Sequence, residues 1–165
     1  MSEDRKTEDE IVQLAAFKVG NEEYVVDIMR VREIIRPVPI TPVRKGPRFV
    51  EGIINLRGAV IPIIDLRRRF DLPALAHAQQ KFVIVTVEGR TIGFVVDGVT
   101  EVVRVPKSAI RPAPGLLDPQ SAPYFLGVCH HKARTLVLLN VKNVVASQES
   151  ISPPETADLK SETGP

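Results

Sequence analysis

The sequence has no tryptophan and one cysteine, Cys129. A single thiol cannot close an intramolecular disulfide, which fits a reducing cytosol. Aromatic residues are scarce, with six Phe and two Tyr. No apolar run approaches the roughly 20 residues that cross a bilayer as a helix. The start, Met1-Ser2-Glu3-Asp4-Arg5-Lys6, is charged and has no apolar stretch behind it, so no secretory signal is expected. Neither a Walker pattern nor a GxGxxG fingerprint occurs. No phosphate-cradling loop and no cofactor are therefore expected.

What is present is Val, Ile and Leu, punctuated by 14 Pro and 10 Gly in 165 residues. That mixture favours strands and turns over helices. The length suits one domain or two small ones. Net charge is only +2, but it is unevenly placed. Residues 1–10 hold five acids and two bases, and residues 147–165 hold four acids and one base. Between them lie 19 bases and 11 acids, a net +8. Such a body prefers acidic partners, nucleic acid among them.

Residues 1–10 read as a disordered N-terminal tail and 147–165 as a disordered C-terminal tail. Residues 11–146 read as the folded part, with 71–80 as a polar linker. Gln13–Val19 is a short apolar segment, Tyr24–Asp27 reads as the return strand after the Gly20-Asn21 turn, and strands are predicted in Phe82–Val87, Ile92–Asp97 and Val99–Val105. Ile28–Ile35 reads as a helical turn followed by a strand. Arg36–Pro42 is extended, because its three prolines remove donors and restrict the residues before them. Pro106–Pro123 reads as a long proline-rich loop.

The most informative stretch is Gly52–Leu66, two apolar strands joined by a tight turn at Arg57-Gly58. Strand alternation puts Val50, Gly52, Ile54 and Leu56 on one face and Glu51, Ile53, Asn55 and Arg57 on the other. The first face suits a core. The second puts a guanidinium beside apolar surface, which suits a partner. Pro62 cannot donate to a ladder, so its strand is predicted to be an edge or to bulge.

The chain then repeats itself. Tyr24-Val25-Val26-Asp27 resembles Phe94-Val95-Val96-Asp97, and Glu33-Ile34-Ile35-Arg36 resembles Glu101-Val102-Val103-Arg104. The hairpins that follow Gly52 and Gly127 run in step as far as Asp65-Leu66 and Asn140-Val141. Each half holds about five short strands. Closing such a sheet removes its exposed edges, so two packed five-stranded barrels are expected: residues 11–70 for one, 81–146 for the other.

Few residues invite chemistry. In Cys129-His130-His131 neighbouring side chains diverge, and two ligands do not make a zinc site. Cys129 sits where Ile54 sits in the repeat, so it is assigned to the core, and no metal is expected. Asp27 and Asp97 end equivalent strands, which suits bonds to turn N–H groups rather than catalysis. Arg67-Arg68-Arg69 reads as a short helix with a solvated basic face rather than a nucleic-acid patch. Arg57 is either an ordinary solvated turn residue or an interface anchor, and the pattern alone leaves both open.

Gly52-Ile53-Ile54-Asn55-Leu56-Arg57-Gly58, with Val60–Arg67, resembles the signature of CheW chemotaxis coupling proteins. Tyr24–Ile34, Val95-Val96-Asp97-Gly98-Val99 and Ile110–Pro114 fit the same family in the same order. The resemblance spans about residues 13–146. It departs at Cys129-His130-His131-Lys132, where small residues and glycine are more usual. It implies an all-β fold of two SH3-like five-stranded barrels with short helices. It implies a non-enzymatic cytoplasmic adaptor, located with receptor arrays at the inner membrane without inserting in it. The implied partners are the tips of methyl-accepting chemoreceptors and the regulatory domain of the histidine kinase CheA. By motif, Val31, Glu33 and Gly52 match positions of the kinase contact. Asn55, Arg57 and Gly58 match the receptor contact. The other class of reading is a small basic β-barrel that binds nucleic acid, motivated by the +8 body.

Overall fold

The computed structural model describes residues 10–72, 80–112 and 122–146. The expected tails, most of the 71–80 linker and much of the proline-rich loop lie outside the described residues.

Eleven strands and a few short helical turns are described. They are β1 (Ile11–Val19), β2 (Glu22–Asp27), β3 (Val31–Ile35), β4 (Val50–Leu56), β5 (Ala59–Asp65), β6 (Lys81–Val87), β7 (Arg90–Val96), β8 (Gly98–Pro106), β9 (Ile110–Arg111), β10 (Phe125–His131) and β11 (Arg134–Leu139). As the sequence pattern of 28–35 predicts, a 3-10 turn, Ile28–Arg30, precedes β3. Short helices Leu66–Arg69 and Val141–Val145 follow the two hairpins. Asp65 and Asn140 cap them at equivalent places, accepting from the N–H groups of Arg67 and Asn143.

The sheets cut across the sequence halves. One runs β8-β1-β2-β11-β10-β9 and the other β3-β6-β7-β5-β4. Each repeat gives its first two strands to the sheet built from the other repeat's remainder. The hairpins dock on these donated strands by parallel pairing, β5 on β7 and β11 on β2. The 71–80 linker thus separates the halves of the duplication but not the sheets. Neither sheet closes through ladder pairing: among the described residues no ladder joins β8 to β9 or β3 to β4.

Side-chain alternation explains how the donated strands fit. Ala15, Phe17 and Val19 of β1 point into a central core between the sheets, with Val83, Val85, Phe94 and Val96 of β6 and β7. Leu14 and Ala16 point the other way, into a smaller cluster with Val25, Val103, Cys129 and Leu136. The mirror cluster of the second sheet holds Ile54, Ile61, Ile63, Phe82, Ile84 and Val95. Strands buried on both faces read as continuous apolar runs, as these do. Cys129 and Ile54 occupy matching clusters, and burial pushes the Cys129 thiol pKa up, as for a small hydrophobe rather than a reactive thiol.

The glycines that open the hairpins have one shared job. A Cβ on Gly52 would lie 2.3 Å from the carbonyl oxygen of Thr41, and one on Gly127 would lie 2.3 Å from that of Arg111. Both strands slip register there. Thr41 bridges Ile53 while β9 pairs β10, so each hairpin's outer edge is partly covered by the chain that precedes it.

Two expectations need correction. Pro62 lies on an interior strand, not an edge, and the register slip falls on β4. It is tolerated because β5 begins to pair with β7 only at Ile63, so no second ladder asks for its missing N–H. The arginine run is not a solvated face. Arg67 and Asp97 form a buried ion pair, their side chains 6% and 9% exposed. Arg69 lies over the rings of Phe49 and Tyr124, 4.0 and 4.5 Å from their centres, which desolvates it and lowers its pKa. Arg68 alone is exposed, 3.5 Å from Asp65. A four-residue helix packed on a core cannot turn three consecutive side chains to water.

Candidate functional site

The β4–β5 hairpin ends in a turn with positive φ at both central residues, 52° at Arg57 and 88° at Gly58. That is the geometry whose twist matches paired strands. Asn55 fixes it, its side-chain oxygen accepting from the Gly58 N–H at 2.9 Å. Asn55 and Gly58 therefore shape the turn, and Arg57 is the group the turn presents.

Arg57 reaches across to β3 and pairs with Glu33. The two side chains are 68% and 32% exposed, so the pair stands at the surface, where water weakens it. Beside it lies a groove of roughly 220 Å³, lined by Arg32, Glu33, Leu56, Arg57, Ala59, Ile61, Ile84 and Thr91. Its floor, Ile61 and Ile84, belongs to the core of the second sheet. The site is a groove with an apolar floor, polar walls and a surface ion pair on its lip. It can seat a side-chain ridge and offer a guanidinium to a carboxylate.

The residues singled out from sequence separate into three places. Glu33 and Arg57 meet at the groove, and Asn55 and Gly58 shape the turn that carries Arg57. Val31, two residues before Glu33, is half-buried and packs on the central core. Gly52 is buried at the far end of β4, under Thr41. Arg32, Ile61, Ile84 and Thr91 also line the groove and carry no local sequence signal for it. The isoleucines look like any core residue in sequence, and only the pairing of β6 with β3 and β7 brings Ile84 to this hairpin.

The other candidates are structural. Asp27 accepts from the Met29 N–H at 2.9 Å, and Asp97 from the Gly20 N–H at 2.6 Å, as turn-bonding acids should. Among the described residues no group of three or more His, Cys, Asp and Glu could hold a metal ion. No described helix is long and apolar enough to cross a membrane.

Residues 13–149 match the family described as CheW-like domain. The chain belongs to that family. It is 37% identical over 134 residues to the chemotaxis protein CheW of Klebsiella aerogenes, covering 81% of each chain. It is 36% identical over 138 residues to the CheW of Rhizobium meliloti, covering 83% of this chain and 89% of that one. Its fold is similar to the crystal structure of the scaffolding protein TtCheW from Thermoanaerobacter tengcongensis, with a TM-score of 0.79 at 28% identity, covering 87% and 93% of the two chains. Membership of the CheW-like family brings the all-β, two-part SH3-like architecture and the class of scaffold or adaptor rather than enzyme.

Proposed function

We propose that this chain is a chemotaxis adaptor that couples chemoreceptor tips to the regulatory domain of the kinase CheA. The observation that carries the reading is the Arg57–Glu33 pair. Its arginine comes from the residues matched to the receptor contact and its glutamate from those matched to the kinase contact. A receptor carboxylate that takes Arg57 releases Glu33, so occupancy on one side changes the electrostatics of the other. Such coupling is reciprocal by linkage. Val31 contributes by setting β3 against the core, and Gly52 by letting Thr41 lie on β4. The adaptor works from the cytoplasm within receptor arrays. Individual contacts there are modest, and repetition supplies the avidity.

The nucleic-acid reading has less support. Phe17, Tyr24, Phe82 and Phe94 are buried, so they cannot serve as a stacking platform.

Arg57→Glu tests the receptor side. Capture by receptor cytoplasmic fragments should fall more than tenfold, with the circular dichroism spectrum unchanged; undiminished capture refutes the anchor. Val31→Asp tests the kinase side by titration calorimetry against the kinase regulatory domain, with the folded fraction checked by urea unfolding. An unchanged affinity in a folded variant removes Val31 from that face.

A further inference from the structure

The two repeats bend their edge strands in the same way. β3 slips register against β6 between Val31 and Glu33, which leaves Arg32 as the extra residue. β8 slips against β1 where Glu101 faces Ala16 and Val99 faces Phe17, which leaves Thr100 as the extra residue. A bulge re-aims the side chain it carries. Thr100 is aimed inward: its hydroxyl lies 2.7 Å from the Glu23 carboxylate and 3.1 Å from the Ala16 carbonyl oxygen. Arg134 donates to the same Glu23 oxygen at 3.1 Å and also pairs with Glu101. The second repeat thus holds a buried carboxylate between its bulge residue and an arginine of its hairpin. In the first repeat the bulge residue is Arg32, and with the hairpin's Arg57 it lines the groove over Ile61 and Ile84. Thr91 adds a hydroxyl to the wall. The charged lining is two guanidiniums against one carboxylate, Glu33, which is already paired with Arg57. Among the described residues the Arg32 guanidinium has no hydrogen-bond or ion-pair partner. Gly93, which matches Glu23 in the repeated sequence, brings no carboxylate.

We propose that this groove receives the side-chain carboxylate of a glutamate from the receptor partner, seated between Arg32 and Arg57 as Glu23 is seated between Thr100 and Arg134. The proposal rests on the coupling function above and names the group that the receptor inserts. The two methylenes of a glutamate lay its stem on the floor of Ile61 and Ile84 while its oxygens stay at the lip. A carboxylate accepts from two guanidiniums at once, and charge-assisted bonds of that kind are stronger than neutral ones. The incoming group also balances the lining, two anions against two cations. A glutamine in its place keeps the stem and loses the charge. Arg32 is thereby a second anchor for the receptor, beside Arg57.

The test uses the full chain. Capture by receptor cytoplasmic fragments should fall about tenfold for Arg32→Gln, the loss expected of one charge-assisted bond. It should be unchanged for Arg30→Gln and Arg36→Gln, exposed arginines of the same stretch outside the groove lining. Thermal melts check that each variant stays folded. In parallel, isotope-labelled chain is titrated with N-acetyl-glutamate N-methylamide. The side-chain Nε–Hε signals of Arg32 and Arg57 should shift to saturation, and the glutamine analogue should shift neither. Equal, unsaturable shifts at Arg30 and Arg36 overturn the proposal, because they report charge alone. Full capture by Arg32→Gln alongside lost capture by Arg57→Glu also overturns it, and leaves the coupling function standing. Saturable binding of the glutamate probe, with receptor capture indifferent to both substitutions, removes the receptor as the source of the carboxylate and takes the coupling function with it.

Discussion

At the tip of the first hairpin Arg57 pairs with Glu33 at the surface; at the second, Arg134 pairs with Glu101 and reaches inward to Glu23. Glu23 precedes Tyr24 as Gly93 precedes Phe94, so one repeat has a carboxylate where the other has only a hydrogen. The buried Glu23 also accepts from Thr100 at 2.7 Å. The second tip is tied down by an internal polar network, while the first keeps its charges on the lip of a groove. The joints between the sheets differ in the same way. Asp97 is locked by buried Arg67, whereas its counterpart Asp27 is exposed and bonds one turn N–H. Lys142, which follows the second hairpin as Arg67 follows the first, pairs with Glu88 at the surface. Duplication supplied two similar frames, of six and five strands, and the charged substitutions made one tip available and the other structural.

The largest test of that contrast is at the joints. Arg67→Ala leaves a buried carboxylate without its cation and should cost about 3–5 kcal/mol. Asp27→Ala removes an exposed cap and should cost about 1 kcal/mol or less. Urea unfolding of both variants measures the difference; equal losses would mean the joints are not distinct. Gly52→Ala and Gly127→Ala should instead behave alike, each costing about 1–3 kcal/mol as the new methyl meets backbone. Only one of them proving costly would break the symmetry of the frames. The smallest effect is at the turns. Ala133 holds φ at 64°, where Gly58 holds 88°. Ala133→Gly should be neutral or stabilise by up to about 1 kcal/mol, and Gly58→Ala should destabilise by about the same. Thermal melts of the pair decide it.

Much of this was legible in the residues. The hairpins, the repeat and the core assignment of Cys129 follow from period-two alternation and from matching segments. The Arg57 turn was legible too, because Gly58 after a polar residue between apolar runs is a local signal. The role of Arg67 was not. Three adjacent arginines look alike until a buried aspartate thirty residues away selects one of them. The place of Pro62 on an interior strand was illegible for a similar reason. Whether a missing N–H matters depends on where the neighbouring strand stops, which no local pattern encodes.

Sequence alone determined the strands, their inward faces, the duplication and the family. These rest on backbone preferences and apolar periodicity, which act over a few residues. Tertiary structure decided that each repeat lends two strands to the other and which arginines are buried. It also decided that Glu33 and Arg57 meet beside a groove floored by Ile61 and Ile84. Those outcomes depend on long-range pairing and desolvation, whose energies exist only once distant segments share a surface.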